Sequence, residues 1–176
     1  MTNSIPPPIA ISEYLHTSFT PDCDYVDGIV ETRNVGGVEH AAARRALLAW
    51  IGQRGREWGV RAEPEVRVQT SASHVRVADV ALIADGEPGG QAIEKPPVAV
   101  IEILSSEDNI QHATERLEDY RRMGVKSVWV VDPAARKGFD ASGADWVESE
   151  RFTAPESPIA VDPAAIFAEM DQGSAR

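Results

Sequence analysis

Residues 98–133 read VAVIEILSSEDNIQHATERLEDYRRMGVKSVWVVDP, and this stretch decides the fold. Val98–Leu104 is almost wholly apolar, the pattern of a strand covered on both faces. Glu107–Met123 follows with a helical stripe of Ile110, Ala113, Leu117 and Tyr120, and Gly124 stands where a left-handed cap would close the helix. Lys126–Asp132 is a second apolar strand, stopped by Pro133. Two strands joined by a helix predict a right-handed parallel crossover inside a larger sheet.

Working outward, Val75–Ala84 (VRVADVALIA) and Arg61–Thr70 read as strands by alternation. His40–Trp58 reads as the first long helix, with an apolar stripe of Ala43, Leu47, Leu48, Ile51 and Trp58. Asp24–Asn34 reads as a hairpin, because Asp27-Gly28 is a strong two-residue turn signal between strand-like flanks. Gly36-Gly37 is a breaker after it. Pro6, Pro7 and Pro8 mark an extended lead-in, and a short helix around Ile11–Thr17 has Ser12 as its cap. Phe139–Phe152 reads as a polar edge hairpin turning near Ser142-Gly143, Ala164–Glu169 as one helical turn, and Gly173–Arg176 as a frayed tail. The expected class is α/β, bordering on α+β: a mixed sheet with helices packed against it.

Composition bounds the function. At 176 residues the chain suits one domain. One cysteine, Cys23, excludes a disulfide framework and a four-cysteine zinc site. The N-terminus lacks a basic region followed by an apolar run, so it reads as no signal peptide, and no stretch approaches the ~20 apolar residues of a membrane span; a cytoplasmic protein is the expectation. The net charge of −11 speaks against a protein held on nucleic acid by bulk electrostatics. Residues 140–176 carry −6 of it, which leaves room for a local basic face at Arg44, Arg45, Arg54 and Arg56. The phosphate-loop, dinucleotide-loop, zinc-peptidase and nucleophile-elbow signatures are absent.

Six residues carry the candidate chemistry. Glu102 lies in an apolar strand, where a carboxylate is costly unless paired, protonated or bound to a metal; facing solvent or meeting Arg116 are the plain alternatives. Asp79 interrupts the apolar face of its own strand. Two carboxylates at one level of a sheet repel unless a cation sits between them, and oxygen-only ligands suit Mg²⁺ or Mn²⁺. Glu31 reads equally as a charge on the hairpin's outer face, and His40 as an exposed residue of a first helical turn. His112 and Arg116 stand four apart on the second long helix; Arg116 is placed to reach the sheet or to pair with Asp119 or Glu115 on the surface.

Taken together, DYVDGIVE (24–31), the His-led helix, RVADVALIA (76–84), VAVIEILSSEDN (98–109) and ERLEDYRRMGVKSVWVVDP (115–133) resemble the Uma-type restriction endonuclease family of the PD-(D/E)XK nuclease superfamily, over about Asp22 to Phe167. The resemblance implies a restriction-endonuclease-like sheet flanked by helices, a nuclease-like domain over 22–170 between an extension (1–21) and a flexible tail (171–176), and a Mg²⁺- or Mn²⁺-dependent endonuclease acting on DNA as a homodimer. Carried over by position, Asp79 and Glu102 are the metal-binding acids and Glu31 closes the site. His40 matches the family's helix-opening histidine and joins Arg44 and Arg45 as a nucleic-acid contact. Leu104 occupies the place of the superfamily's lysine, and Arg116 stands where this family supplies one from the next helix. His112 replaces a common aspartate and is the candidate relay to water. Arginine keeps the charge but cannot act as a general base, so the alternative is a catalytically impaired nuclease fold acting as a binding or regulatory module.

Overall fold

A computed structural model describes residues 7–34 and 36–174 of the chain. An eight-stranded mixed sheet forms its centre, in the order β2 (Ile29–Thr32), β1 (Cys23–Val26), β4 (His74–Ala84), β5 (Ala99–Ile103), β6 (Val128–Asp132), β7 (Lys137–Asp140) and β8 (Val147–Glu148), with β3 (Val60–Gln69) paired to β4 outside that path. Strands β1 (Cys23–Val26) and β2 (Ile29–Thr32) form the expected hairpin. Its turn places both Asp27 (φ 48°) and Gly28 (φ 90°) in the left-handed region, as a type I′ turn requires. The central crossover is also as expected: β5 (Ala99–Ile103) pairs in parallel with β6 (Val128–Asp132) through α4 (Ile110–Met123).

The sheet forks at β4 (His74–Ala84). One edge of β4 is taken by β3 (Val60–Gln69), which pairs with it from Val75 to Ala84. The other edge is shared. β1 pairs there with His74 and Val75, β5 pairs with Val80 to Leu82, and Arg76–Asp79 lie in the gap between them. Extending the β4–β5 register by one residue sets Asp79 across from Glu102, and extending the β1–β4 register sets Asp24 across from Arg76.

Helices cover both faces. On one, α2 (Val38–Gly52) and α5 (Pro163–Ser174) pack Leu47, Ile51, Ile166 and Phe167 on Val80, Leu82, Ile101 and Trp129. Trp129 stacks on Phe152 at 5.2 Å. On the other face, Ala113, Leu117 and Tyr120 of α4 pack on Val100, Val128 and Val130. The N-terminal helix α1 (Ile11–Leu15) is fastened by Arg67, which donates to the carbonyls of Tyr14, Leu15 and Thr17 and to Asp22. No helix among the described residues is long and apolar enough to cross a membrane.

Several local expectations are corrected. The long helix predicted over His40–Trp58 is two, α2 and α3 (Gly55–Trp58), because Gly52 and Gly55 weaken the helix between them. Arg54 and Arg56 therefore leave the helix that carries Arg44 and Arg45, and the four-arginine face does not form. Helix α4 starts at Ile110 rather than Glu107, since the Asn109 side chain accepts from the Gln111 N–H at 2.8 Å and sets the cap there. Ile110, in the first turn, is 60% exposed and leaves the core stripe. Helix α1 is capped by Ala10 without a side-chain bond, not by Ser12, and ends at Leu15. The edge hairpin stops at β8 (Val147–Glu148) against β7 (Lys137–Asp140); β9 (Phe152–Thr153) pairs instead with β10 (Ala160–Val161) in a separate small sheet. Helix α5 extends through Ser174 in place of one turn and a frayed end; residues 175–176 and Pro6 of the lead-in lie outside the described ones.

These placements separate two residues of the predicted α4 stripe. Leu117→Ala is expected to cost about 2–5 kcal/mol, whereas Ile110→Ala stays within roughly 0.5 kcal/mol. Urea denaturation of the two variants checks this.

Candidate functional site

The fork creates a requirement that charged side chains meet. With β1 and β5 diverging from β4, the Val77 N–H is bonded by Asp24 Oδ1 (2.8 Å) and the Ile103 N–H by Asp79 Oδ2 (2.9 Å). Both acids are buried, at 3% exposure each. Buried carboxylates need counter-charge, and arginines supply it. Arg76 donates to Asp24 at 3.2 Å and to Asp119 at 2.7 Å. Arg33, the residue after β2, donates from Nη2 to Asp79 Oδ1 at 2.9 Å, with its Nε 3.7 Å from Asp24.

Glu102 completes the cluster. At 2% exposure it accepts from the Tyr120 hydroxyl (2.9 Å) and from Arg116 Nη2 (3.1 Å). Of the two plain alternatives for Glu102, the arginine pair is the one formed. His40 is buried as well, its Nε2 3.3 Å from Asp79 Oδ2.

The environment drives the two acids apart. Burial would raise the Asp79 carboxyl, but the His40 imidazole, the Arg33 charge and the Ile103 N–H outweigh it and hold Asp79 below the usual carboxylate range. Burial pushes Glu102 up to about 7, with the Asp79 charge adding to it and Arg116, Arg33 and the Tyr120 hydrogen bond opposing. Burial alone would lower the pKa of Arg33, yet Asp79, Glu102 and Asp24 keep it raised.

A pocket of about 520 Å³ opens over this cluster, lined in part by Glu31, Arg33, Asn34, Arg76, His112 and Arg116. Asn34 bonds Ser105 at 2.7 Å and so ties the end of the hairpin to the loop before α4. Gly36 (φ 67°) crosses directly over the His40 ring, where a Cβ would overlap the imidazole.

Of the residues expected at the site, Asp79, Glu102, Arg116 and His40 come together. Glu31 does not join the acid pair: it is half-exposed and lies 3.6 Å from Arg76. His112 lines the pocket but is mostly exposed and faces Glu115 at 3.5 Å, not Glu102. His40 is buried, so the surface contact to nucleic acid expected of it is replaced by its contact with Asp79. Arg44 is held by Glu65 at 2.6 Å, and Arg54 stacks on Trp50 at 3.6 Å. Arg33, Asp24, Arg76, Asp119 and the Tyr120 hydroxyl are the components the sequence reading missed. The one available signal was Asp119-Tyr120, a charge beside a core position.

The arrangement does not fit a resident Mg²⁺ or Mn²⁺. Both oxygens of Asp79 and both of Glu102 already accept from cationic, N–H or O–H donors. No group of three or more Asp, Glu, His or Cys residues gathers to hold an ion among the described residues. The buried polar atoms without a partner here are the Nε of Arg33 and of Arg116, donors that cannot bind a metal, and the Nδ1 of His40, a single ring nitrogen whose Nε2 faces Asp79.

Comparison with known proteins gives three results. A family model described as "Uma2: Putative restriction endonuclease" matches residues 12–162. The crystal structure of a putative nuclease belonging to DUF820 from Anabaena variabilis aligns with TM-score 0.75 and 18% identity, covering 93% of this chain and 99% of that one, a likeness of fold. A DrdV–DNA complex solved by cryoEM aligns with TM-score 0.43 and 15% identity over 73% of this chain and 11% of that one, too low to carry an argument. No curated protein matches.

The raised Glu102 carboxyl has a stability consequence. Its folded pKa lies above the ordinary 4.5, so its contribution is present at low pH and is lost as pH rises from about 4.5 to about 7. Glu102→Gln removes that loss. The melting temperature of the variant relative to the unsubstituted protein is expected to improve from pH 5 to pH 8; a difference that is flat or falls with pH contradicts the shift.

Proposed function

The chain belongs to the Uma2 family of putative restriction endonucleases, and on that premise we propose that it is a nuclease hydrolysing phosphodiester bonds of nucleic acid, with DNA as the substrate. The observation that carries the reading is the meeting of Asp79 and Glu102 at the point where β4 and β5 part, beneath a pocket whose wall includes Arg33 and Arg116. A phosphodiester in that pocket gains negative charge as water attacks it. Two guanidinium groups fixed by buried carboxylates are preorganised to stabilise that charge. Glu102, pushed up to about 7 by burial, exchanges its proton near neutral pH, the range suited to accepting one from water. Asp79 stays ionised and orients Arg33. Arg116 lines the pocket and donates to Glu102, so Arg116 moves when Glu102 works. A dication at this site competes with the guanidinium groups for the carboxylates. Cutting both strands of a duplex calls for two copies related by a two-fold axis, which supports a homodimer as the working form.

A second reading has its own observation. Each carboxylate oxygen of Asp79 and Glu102 accepts a hydrogen bond from a donor of the protein itself, which supports a nuclease fold that binds nucleic acid without cutting it.

The test is incubation with single- and double-stranded DNA and with RNA, in Mg²⁺, in Mn²⁺ and in EDTA. DNA cleavage abolished by Asp79→Ala and by Glu102→Ala is expected. Binding without cleavage under every condition favours the second reading, and neither binding nor cleavage contradicts both. The EDTA arm reports whether an ion displaces the guanidinium groups.

A further inference from the structure

We infer that His74 is a proton-controlled latch: its imidazolium fastens the β1–β2 turn to the body of the fold, and loss of the Nε2 proton releases that turn. The inference does not rest on the nuclease reading. His74 opens β4 beside the hairpin, outside the Asp79–Glu102 cluster. Its ring lies between carboxylates from two other elements. Nδ1 is 3.0 Å from Asp119 Oδ2 of α4, and Nε2 is 3.4 Å from Asp27 Oδ2 in the hairpin turn. Asp119 is buried, whereas Asp27 is 70% exposed. Arg76, two residues along β4, donates to the same Asp119 oxygen at 2.7 Å and so opposes a charge on the ring. Asp24 of β1 and Glu31 of β2 face Arg76, at 3.2 and 3.6 Å. Thr70, which follows β3 and bonds the His74 carbonyl, carries no charge.

A carboxylate oxygen only accepts, so both ring nitrogens have to donate for both contacts to hold. Neutral imidazole has one N–H and one lone pair; the imidazolium has two N–H groups. When a proton leaves, the Nδ1–H stays, because Asp119 is the nearer acceptor and a buried carboxylate loses more with a donor than an exposed one. Nε2 then turns a lone pair on Asp27, and the contact becomes repulsive. Asp27 stays charged meanwhile: bonds from the Ser73 hydroxyl and the His74 ring hold its carboxyl below the ordinary range. The turn keeps the Asp27 N–H on the Ser73 carbonyl (2.9 Å), the Ser73 hydroxyl on Asp27 Oδ1 (2.7 Å) and the Ile9 N–H on the Gly28 carbonyl (2.9 Å). The same hairpin runs on to Val30, Glu31, Thr32 and Arg33 in the pocket wall, so the latch sets how firmly that wall is held.

The test uses the full chain between about pH 5.5 and about pH 8.5, the span in which an imidazole gives up its proton. The His74 ring nitrogens are followed by ¹⁵N NMR, and the Asp27 amide by hydrogen exchange corrected for its intrinsic rate. At the acid end both nitrogens are expected to carry protons. On deprotonation Nε2 alone loses its proton, and protection of the Asp27 amide falls about fivefold or more. Asp27→Asn suits a left-handed turn position and offers the ring a partner that either accepts or donates, so its protection stays level with pH. Glu102 titrates near 7 and acts on the hairpin through the Arg33 charge, but a fall from that source persists in Asp27→Asn. A ring that gives up Nδ1–H instead, a ring that keeps one protonation state throughout, protection that holds while the ring titrates, or an equal fall in Asp27→Asn overturns the latch.

Discussion

The fork in the sheet at β4 is the constraint from which the rest of the centre follows. Where β1 and β5 both need the same edge, the backbone between their pairings loses its strand partner. A buried N–H has to be bonded, and here side chains do it: Asp24 for Val77 and Asp79 for Ile103. That solution brings ionised carboxylates into the interior. Arg76 and Arg33 answer them, and Glu102 with Arg116 and Tyr120 repeats the pattern one strand across.

Such a centre is sensitive in a way an apolar core is not. A buried ion pair contributes little net stability compared with well-packed hydrophobic residues, but removing one partner strands the other, at roughly 3–5 kcal/mol. The fork thus depends on residues far apart in sequence: Asp24 and Arg33 on the hairpin, Arg76 and Asp79 on β4, and Arg116 and Asp119 on α4. The positive charge that two adjacent carboxylates require is present as guanidinium, which also presents donors to the pocket. Structural compensation and candidate chemistry are therefore carried by the same groups.

Local signals carried much of this into the sequence. Asp27-Gly28 announced the hairpin, and its two left-handed residues follow from that dipeptide. The apolar runs on either side of an amphipathic helix announced the parallel crossover, and Gly124 its cap. Glu102 was conspicuous because an acid inside VAVIEIL conflicts with its surroundings. Arg33 was not conspicuous, since ETRN after a hairpin reads as surface and only the non-local pairing of β1 with β4 buries it. Arg76 and Asp119 were hidden for the same reason. The division of the first long helix turned on two glycines within an otherwise periodic pattern, and the length of α5 on packing against α2 that no local feature announces.

The central claim, that Asp79 is held in the fork by Arg33 as a charge pair, is tested most directly by a double-mutant cycle. The stabilities of Asp79→Asn, Arg33→Met and the double variant are measured by urea denaturation at pH 7. The account predicts that each single change is strongly destabilising and that the double variant is more stable than their sum by about 2 kcal/mol or more. Additive losses, with no coupling beyond about 0.5 kcal/mol, would contradict it.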